Sequence, residues 1–292
     1  MAPGAWLILP GATAWRAGAA ALLVLLGATI IIWLSRRKEA PTYDWIGHIE
    51  DLRRRLMVCA AALLVATAFM FSFRWPAGSW YPTPAVQDNL AAQAFQHIVA
   101  DLVPEGVTLV VVRPMDGFIA EMVIALGLGA VVAAPVLLWQ LGGFFWPALK
   151  DNERKVLRNA FLPVLLLFFA GGAFAYVYVL PFLLRTLYGY GDALGAQALL
   201  QVSELMSFTV GMVLIMGIAF QTPLVMYALT RTGIVAARTW RRTWRHAVVL
   251  ILIVSAIITD PTVVSQVLVA LPLMGLYGLG LVLTSLATPA SR

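Results

Sequence analysis

Long apolar stretches separated by short polar segments repeat along this chain of 292 residues. Most stretches approach the roughly 20 apolar residues that cross a bilayer core about 30 Å thick. We therefore predict seven membrane crossings, at Ala17–Leu34, Met57–Phe73, Gly117–Trp139, Ala160–Phe182, Leu205–Leu229, Ala247–Thr259 and Val263–Thr284. Backbone groups in lipid must bond internally, and these runs are too long and continuous for barrel strands. The predicted fold class is all-α, a polytopic transmembrane helix bundle.

Two of the predicted crossings are unusual. Positive charge follows Ala17–Leu34 instead of preceding it, and no small-residue cleavage site appears, so we interpret this run as an uncleaved span and not a signal peptide. Ala247–Thr259 has only about 13 residues, too few for an upright span, so local thinning of the bilayer is needed. The alternative left open is that Ala247–Thr259 and Val263–Thr284 form a re-entrant pair.

The connecting segments differ in length and character. The segment between the second and third crossings, 74–115, is the longest, and apolar residues recur in it every four positions at Val86, Leu90, Ala94, Ile98 and Leu102. This spacing predicts an amphipathic helix that lies on the membrane or caps the bundle, followed by an extended stretch at Val107–Val112. The pattern also predicts an inner loop at Pro147–Asn159 and an outer stretch at Leu183–Glu204.

Charge sets the predicted orientation. The composition is 61% hydrophobic and 12% charged, whereas a soluble domain is about 25% charged. With the predicted crossings drawn, 16 of the 20 Lys and Arg residues lie on one side, which the positive-inside rule makes cytoplasmic. The N-terminus is then outside and the C-terminus inside a cell membrane. The net charge of +6 is explained by these loops, so we predict no nucleic-acid partner.

The same pattern divides the chain into two parts. Residues 1–40 form an extra transmembrane helix with its basic flank, and residues 41–292 form a six-helix membrane domain with an external cap segment at 74–115. Homo-oligomerisation and contact with membrane lipid are both compatible with this organisation.

Polar groups within the membrane are costly and are functional candidates by default. Gln221 lies in mid-run and needs either a neighbouring helix or a wet cleft, and Pro223 beside it removes a backbone N–H and predicts a kink. Gln266 lies beyond the turn at Asp260, where Asp260 is interpreted as a helix cap. Glu121, near an outer helix end, is interpreted as facing external solvent.

Catalytic and metal sites are not indicated. The histidines His48, His97 and His246 are scattered over two membrane faces, and Cys59 is the single cysteine, which we interpret as a packing residue. Metalloprotease, nucleophile-elbow and phosphate-loop motifs do not occur in the sequence. We predict no catalytic residue, no metal and no cofactor. A secondary transporter using Gln221 is the alternative function, although the runs show no inverted repeat.

Two acids stand among the basic residues of the inner face. Glu50 and Asp51 precede three arginines, and Glu153 precedes Arg154 and Lys155. One interpretation is local pairing, as between Asp51 and Arg55, worth a few tenths of a kcal/mol. The other is that Asp51 and Glu153 border one pocket that binds a basic peptide through charge-assisted bonds to its guanidinium groups.

Five motifs occur in order along the chain. The first is the block His48-Ile49-Glu50-Asp51-Leu52-Arg53-Arg54-Arg55-Leu56, and the second is the stretch from Phe144 to Arg154. The remaining motifs are Ala173-Phe174-Ala175-Tyr176 with Pro181, Gly217 to Pro223, and Ser265-Gln266 with Leu271-Pro272. Together they resemble the TatC family, the receptor subunit of the twin-arginine protein translocase, from about His48 to Leu283. The first motif is similar to the family's amino-terminal pattern and the second to its first inner loop.

The resemblance implies a fold and a function. Six spans would form a concave bundle whose inner face binds the arginine pair of a signal peptide, and transport of folded proteins would draw on the proton-motive force. The residues that would bind the signal peptide are Asp51, Glu153, Glu50, Arg53 and Arg55. Those that would line a groove for a single-span TatA or TatB helix are Gln221, Pro223, Tyr176 and Gln266.

Four departures from the family pattern stand out. Asp51 occupies a position where the family usually has Glu, and Gln221 replaces an acid that many relatives carry. The usual Pro-Pro-Asp turn reads Asp260-Pro261-Thr262 here. Ala17–Leu34 is a seventh span, and it serves either as an anchor or as an intramolecular substitute for a partner helix.

Overall fold

The structure is a computed structural model that describes residues 45–76, 82–85, 88–104, 106–145, 151–193, 199–259 and 263–287. The N-terminal segment 1–40, with its predicted crossing Ala17–Leu34, and the turn at 260–262 lie outside these residues. The described residues fall into two units. The first holds those up to Asp101 together with Val110–Phe144 and Gln201–Ser207, and the second holds Leu102–Leu109, Phe145–Leu200 and those from Phe208 onward.

Most of the predicted crossings have a matching helix. Within the described residues, five helices are long and apolar enough to span a membrane, at Ile49–Ser72, Asp116–Phe144, Ala160–Gly189, Val202–Arg231 and Val263–Leu286. The predicted all-α, multi-pass architecture is therefore confirmed for these segments. The sixth predicted run appears as the shorter helix Trp244–Ile258, whose 15 residues measure only about 22 Å at 1.5 Å per residue.

The first unit contains two long helices joined by a shorter helix and two short paired strands. Helix α1 (Trp45–Ser72) leads into strand β1 (Phe73–Arg74), which pairs antiparallel with β2 (Thr83–Pro84). Helix α2 (Leu90–Leu102) follows, and helix α3 (Asp116–Phe145) returns through the apolar layer. The charged block from His48 to Leu56 thus lies within the first three or so turns of α1.

The predicted amphipathic helix of the cap is confirmed over most of its length. Helix α2 begins at Leu90 because Asn89 caps it: the Oδ1 atom of Asn89 accepts a hydrogen bond from the backbone N–H of Ala92 at 2.8 Å. Val86, the first residue of the predicted repeat, lies outside the described residues. The predicted extended stretch contains strand β3 (Thr108–Val110), which pairs with β4 (Leu199–Gln201), a partner that periodicity did not indicate.

The second unit corrects two predicted boundaries. Helix α4 (Asp151–Phe174) begins eight residues before the predicted end of the inner loop at Asn159, so that loop is shorter than expected. Helix α5 (Leu180–Ala193) continues well beyond Phe182, the predicted end of the span. A π-helical turn at Ala175–Val179 separates α4 from α5, and the N–H of Leu180 bonds to the carbonyl of Ala175. This wider turn accommodates Pro181, which lacks an N–H, without ending the helix.

The predicted fifth run is two helices. Helix α6 (Val202–Ala219) ends just before Gln221, and α7 (Thr222–Arg231) begins just after it. The unit continues with α8 (Ala237–Arg242), α9 (Trp244–Ile258) and α10 (Val263–Leu286), and α10 packs against both α7 and α9.

Helices α4 and α6 approach closely because each carries a glycine at their crossing. A Cβ atom on Gly171 would lie 2.6 Å from the backbone oxygen of Met216, and one on Gly217 would lie 2.9 Å from the ring of Phe168. The aromatic rings of Phe174 and Phe220 contact each other nearby at a tilt of 39°, with centroids 5.7 Å apart. Small residues of this kind allow the backbone contact that drives helix association in lipid.

Candidate functional site

Asp51 is held by Arg55, one turn later on α1. The Nε atom of Arg55 donates to Oδ2 of Asp51 at 2.8 Å, and its Nη1 atom donates to Oε1 of Gln140 on α3 at 3.4 Å. The side chains of Arg55 and Asp51 are 25% and 31% exposed. Such a pair contributes only about 0.3–0.5 kcal/mol to stability, so its main effect is to orient the carboxylate. Because a carboxylate has about four acceptor positions, Asp51 keeps room for a second guanidinium group.

Gly143 makes space for the guanidinium group of Arg55. It lies one turn after Gln140 on α3, and a Cβ atom at this position would overlap Nη1 of Arg55 and lie 3.2 Å from its Cζ. Any larger residue would therefore displace the Arg55 side chain. We call the group formed by Asp51, Arg55, Gln140 and Gly143 the Asp51 cradle.

The remaining predicted signal-peptide residues differ in how they are placed. Glu50 and Arg53 are exposed on α1 beside the Asp51 cradle. The apolar side chains of Ile49, Leu52 and Leu56 are also exposed around it, by 64%, 47% and 66%. Glu153 is the third residue of α4, and its side chain lies outside what the structure describes. A pocket shared by Asp51 and Glu153 therefore stays a prediction.

Gln221 marks the break between α6 and α7. Its Nε2 atom donates to the carbonyl of Val164 on α4 at 3.2 Å and to that of Gly217 at 3.3 Å. Its Oε1 atom is buried and has no hydrogen-bond partner among the described residues. The amide N–H group thus bonds to a neighbouring helix, as one of the two interpretations of Gln221 requires. The amide oxygen remains a buried acceptor without a donor, which lowers the stability of the fold by about 1–3 kcal/mol.

The kink predicted at Pro223 is confirmed as a break in the helix. Pro223 has no N–H to offer to the carbonyl of Ala219, and the hydroxyl of Thr222 donates to that oxygen instead at 2.7 Å. Pro223 itself is buried in the first turn of α7. The break therefore leaves this backbone carbonyl satisfied, as the apolar layer requires.

Gln266 and Tyr176, the other predicted groove residues, belong to different helices of the same unit. The Nε2 atom of Gln266 on α10 donates to the carbonyl of Leu252 on α9 at 3.0 Å. Tyr176 lies half-buried in the π-helical turn. The two glutamines therefore bond to different neighbouring helices, Gln221 to α4 and Gln266 to α9.

The structure contains a buried carboxylate that sequence reasoning missed. Asp116, only 1% exposed at the start of α3, accepts hydrogen bonds from the backbone N–H groups of Val112 at 3.1 Å and Arg113 at 2.7 Å. It also accepts from Nε2 of Gln201 at 2.9 Å and from the hydroxyl of Ser203 at 3.4 Å. The position of Asp116, three residues after Arg113, indicates a local turn. Its other partner, Gln201, lies 85 positions later in the chain, and no local pattern indicates that contact.

Glu121 was interpreted wrongly as simply facing external solvent. It is half-buried and accepts a hydrogen bond from Nδ2 of Asn89, which itself is fully buried. Asn89 thus caps α2 and ties it to α3, and Glu121 has a structural partner. Among the described residues, no group of three or more His, Cys, Asp or Glu side chains is placed to hold a metal ion.

The chain is similar to one family of protein translocase proteins over most of its length. The family described as "Sec-independent protein translocase protein (TatC)" matches residues 47–272. A "Sec-independent protein translocase protein TatC" of Cenarchaeum symbiosum is 40% identical over 80% of this chain and 91% of the relative. One of Helicobacter pylori strain J99 is 33% identical over 84% of this chain and 90% of the relative.

A solved structure is similar over the same region. It is a crystal structure described as "Twin Arginine Translocase Receptor- TatC", which superposes with a TM-score of 0.69 and 31% sequence identity. The superposition covers 82% of this chain and 99% of that one.

Proposed function

Because this chain belongs to the TatC family of Sec-independent protein translocase proteins, we propose that it is the receptor for twin-arginine signal peptides in a cell membrane. In this proposal it forms the core of a translocase that exports folded proteins at the expense of the proton-motive force. The basic loops, and with them the C-terminus, face the cytoplasm. The proposal replaces the secondary-transporter alternative, for which the structure offers no separate observation.

The Asp51 cradle is the observation that carries the proposal. An oriented carboxylate with free acceptor positions stands at the head of α1, among exposed apolar side chains. A signal peptide that combines two arginines with an apolar stretch has complementary chemistry. We propose that Asp51 takes one guanidinium group and Glu153 the other. In this proposal Glu50 adds negative charge, Arg55 keeps the carboxylate of Asp51 in position, and the exposed Arg53 lies at the edge of the site.

The first test compares two peptides on the unmodified chain. A fluorescent peptide with Arg-Arg before an apolar stretch is titrated onto the full chain in nanodiscs, alongside an otherwise identical Lys-Lys peptide. We expect the Arg-Arg peptide to bind about tenfold more tightly, because guanidinium groups form bidentate bonds to carboxylates and ammonium groups do not.

A third peptide serves as the control for this comparison. It keeps both arginines but separates them by several residues, so its net charge is unchanged. Equal affinities for the three peptides would mean that only net charge and apolarity are recognised, and the receptor proposal would fail.

We also propose that Gln221 contributes to a groove that holds a single-span partner helix of the TatA or TatB kind, together with Pro223, Tyr176 and Gln266. The buried Oε1 atom of Gln221, with no donor among the described residues, supports this role. In this proposal the Gln221 side chain rotates so that the oxygen meets a hydroxyl or amide donor on the partner helix, which removes the cost of leaving it unsatisfied.

Replacing Gln221 tests the partner groove. Gln221→Leu is expected to lower co-purification of a single-span partner by about threefold or more, because one interhelical hydrogen bond in a membrane contributes about 0.6–1.7 kcal/mol. Gln221→Glu keeps an acceptor oxygen and should retain more of the partner. Gln96→Leu, at an exposed position on α2, is the matched control. Undiminished recovery with Gln221→Leu would contradict the assignment.

A further inference from the structure

Trp240 connects the short helix α8 to two neighbouring helices of the second unit through hydrogen bonds. The Nε1 atom of Trp240 donates to the hydroxyl oxygen of Thr230 on α7 at 3.1 Å, and its carbonyl accepts from the hydroxyl of Tyr277 on α10 at 2.8 Å. The hydroxyl of Thr243 donates to the carbonyl of Thr239 at 2.9 Å and closes the junction with α9. The side of α8 that carries Trp240 is therefore fixed against the bundle.

The opposite side of this junction is strongly positive. Arg238, Arg241 and Arg242 on α8 and Arg245 in the first turn of α9 are all exposed. Residues two positions from Trp240 lie about 200° around the helix from it, so Arg238 and Arg242 point away from the bundle. In the described parts of the chain, no carboxylate forms an ion pair with any of these four arginines.

An exposed apolar stripe continues from the arginines along α9. Val249, Ile253 and Ile257 recur every four residues and are 56%, 52% and 78% exposed. An open depression of about 440 Å³ lies at the boundary and is lined by Arg245, His246, Val249, Leu250 and Ile253. One end of this depression is cationic and the other is wholly apolar.

We propose that this surface, formed by Arg238, Arg241, Arg242, Arg245, Val249 and Ile253 and called here the α8–α9 surface, selectively binds an anionic phospholipid. The headgroup phosphate faces the arginines and an acyl chain follows the apolar stripe of α9. A zwitterionic lipid is a poorer occupant because its own cation faces the same arginines. Free phosphate is a poorer occupant because it covers none of the apolar stripe.

Native mass spectrometry of the full chain tests this proposal. The chain is released from vesicles with equal amounts of dioleoylphosphatidylglycerol and dioleoylphosphatidylcholine, and the bound lipids are counted. We expect the phosphatidylglycerol to be enriched in the unmodified chain. Arg241→Gln with Arg245→Gln should reduce that enrichment by about thirtyfold, since each of the two cations contributes about 1 kcal/mol towards an anionic bilayer.

A matched control removes the same charge elsewhere. Arg113→Gln with Arg185→Gln replaces two exposed arginines outside the α8–α9 surface and should leave the enrichment unchanged. An equal loss in both double variants would mean that net charge alone attracts the lipid, which overturns the site. Displacement of the bound lipid by millimolar inorganic phosphate would assign the site to a free anion instead.

The unmodified chain decides the question even where a variant fails to fold. If the chain binds phosphatidylglycerol and phosphatidylcholine in the same proportions as the vesicle contains them, the proposal is overturned and the arginines serve membrane orientation only. The measurement needs no signal peptide, so its result is independent of the receptor function proposed above.

Discussion

Gly171→Ala is expected to destabilise the purified chain by about 1–3 kcal/mol, the usual cost of inserting a carbon into a closely packed contact. The added Cβ atom would meet the backbone oxygen of Met216 at 2.6 Å and the side chain of Phe220 at 2.8 Å. A backbone oxygen within a helix cannot turn aside as a flexible side chain can. Helices α4 and α6 would have to separate, and the contacts made through Gly217 would loosen as well.

Thermal unfolding in detergent, followed by intrinsic tryptophan fluorescence, measures this effect as a lower Tm. Gly275→Ala is the matched control, because Gly275 lies within helix α10 and a Cβ atom there would meet nothing within 4 Å beyond the adjoining backbone of its own helix. Alanine has the higher helix propensity by about 1 kcal/mol, so the control should be neutral or slightly stabilised. A Gly171→Ala chain as stable as that control would contradict the close packing of α4 and α6.

Removing both proposed acids, with Asp51→Asn and Glu153→Gln, is expected to weaken binding of the Arg-Arg peptide by about tenfold to a hundredfold. Removing one partner of a buried charge pair lowers the binding free energy by about 2–5 kcal/mol. The side chain of Asp51 is 31% exposed, and solvent screening weakens its interactions, so we expect a loss at or below the low end of that range. Both substitutions keep the size of the side chain, so the change in affinity reports on charge. Fluorescence anisotropy with the labelled peptide measures it.

Glu204→Gln is the control for this pair, because Glu204 is an exposed carboxylate in the first turn of α6 and has no part in the proposed site. The Lys-Lys peptide provides a second comparison. It should lose far less affinity than the Arg-Arg peptide, since it forms no bidentate bonds to lose. Equal losses for the two peptides would reject specific recognition of guanidinium groups by Asp51 and Glu153.

The membrane-spanning helices among the described residues could be predicted from the sequence because they depend on the length and apolarity of each run. These quantities average over many side chains, so a boundary misplaced by a few residues does not hide a span. The local exception at Ala175–Val179 was missed because a π-helical turn has no distinctive composition. Pro181 usually ends a helix, and only the wider turn before it allows α5 to continue.

The candidate site was predictable where it depends on neighbours in the sequence. The bond between Asp51 and Arg55 follows from a spacing of four residues on a helix. Arg55 also contacts Gln140 and Gly143 on α3, and nothing in the local sequence pattern of α1 indicates these two contacts. The same holds for the carboxylate of Asp116, whose partner Gln201 comes from a distant segment of the chain.

The side chain at the break between α6 and α7 is an amide, and an amide neither gains nor loses a proton over the physiological pH range. Gln221 itself therefore adds no pH dependence to any contact that it makes with a neighbouring helix. Any step in which protons drive this chain must therefore act through another residue.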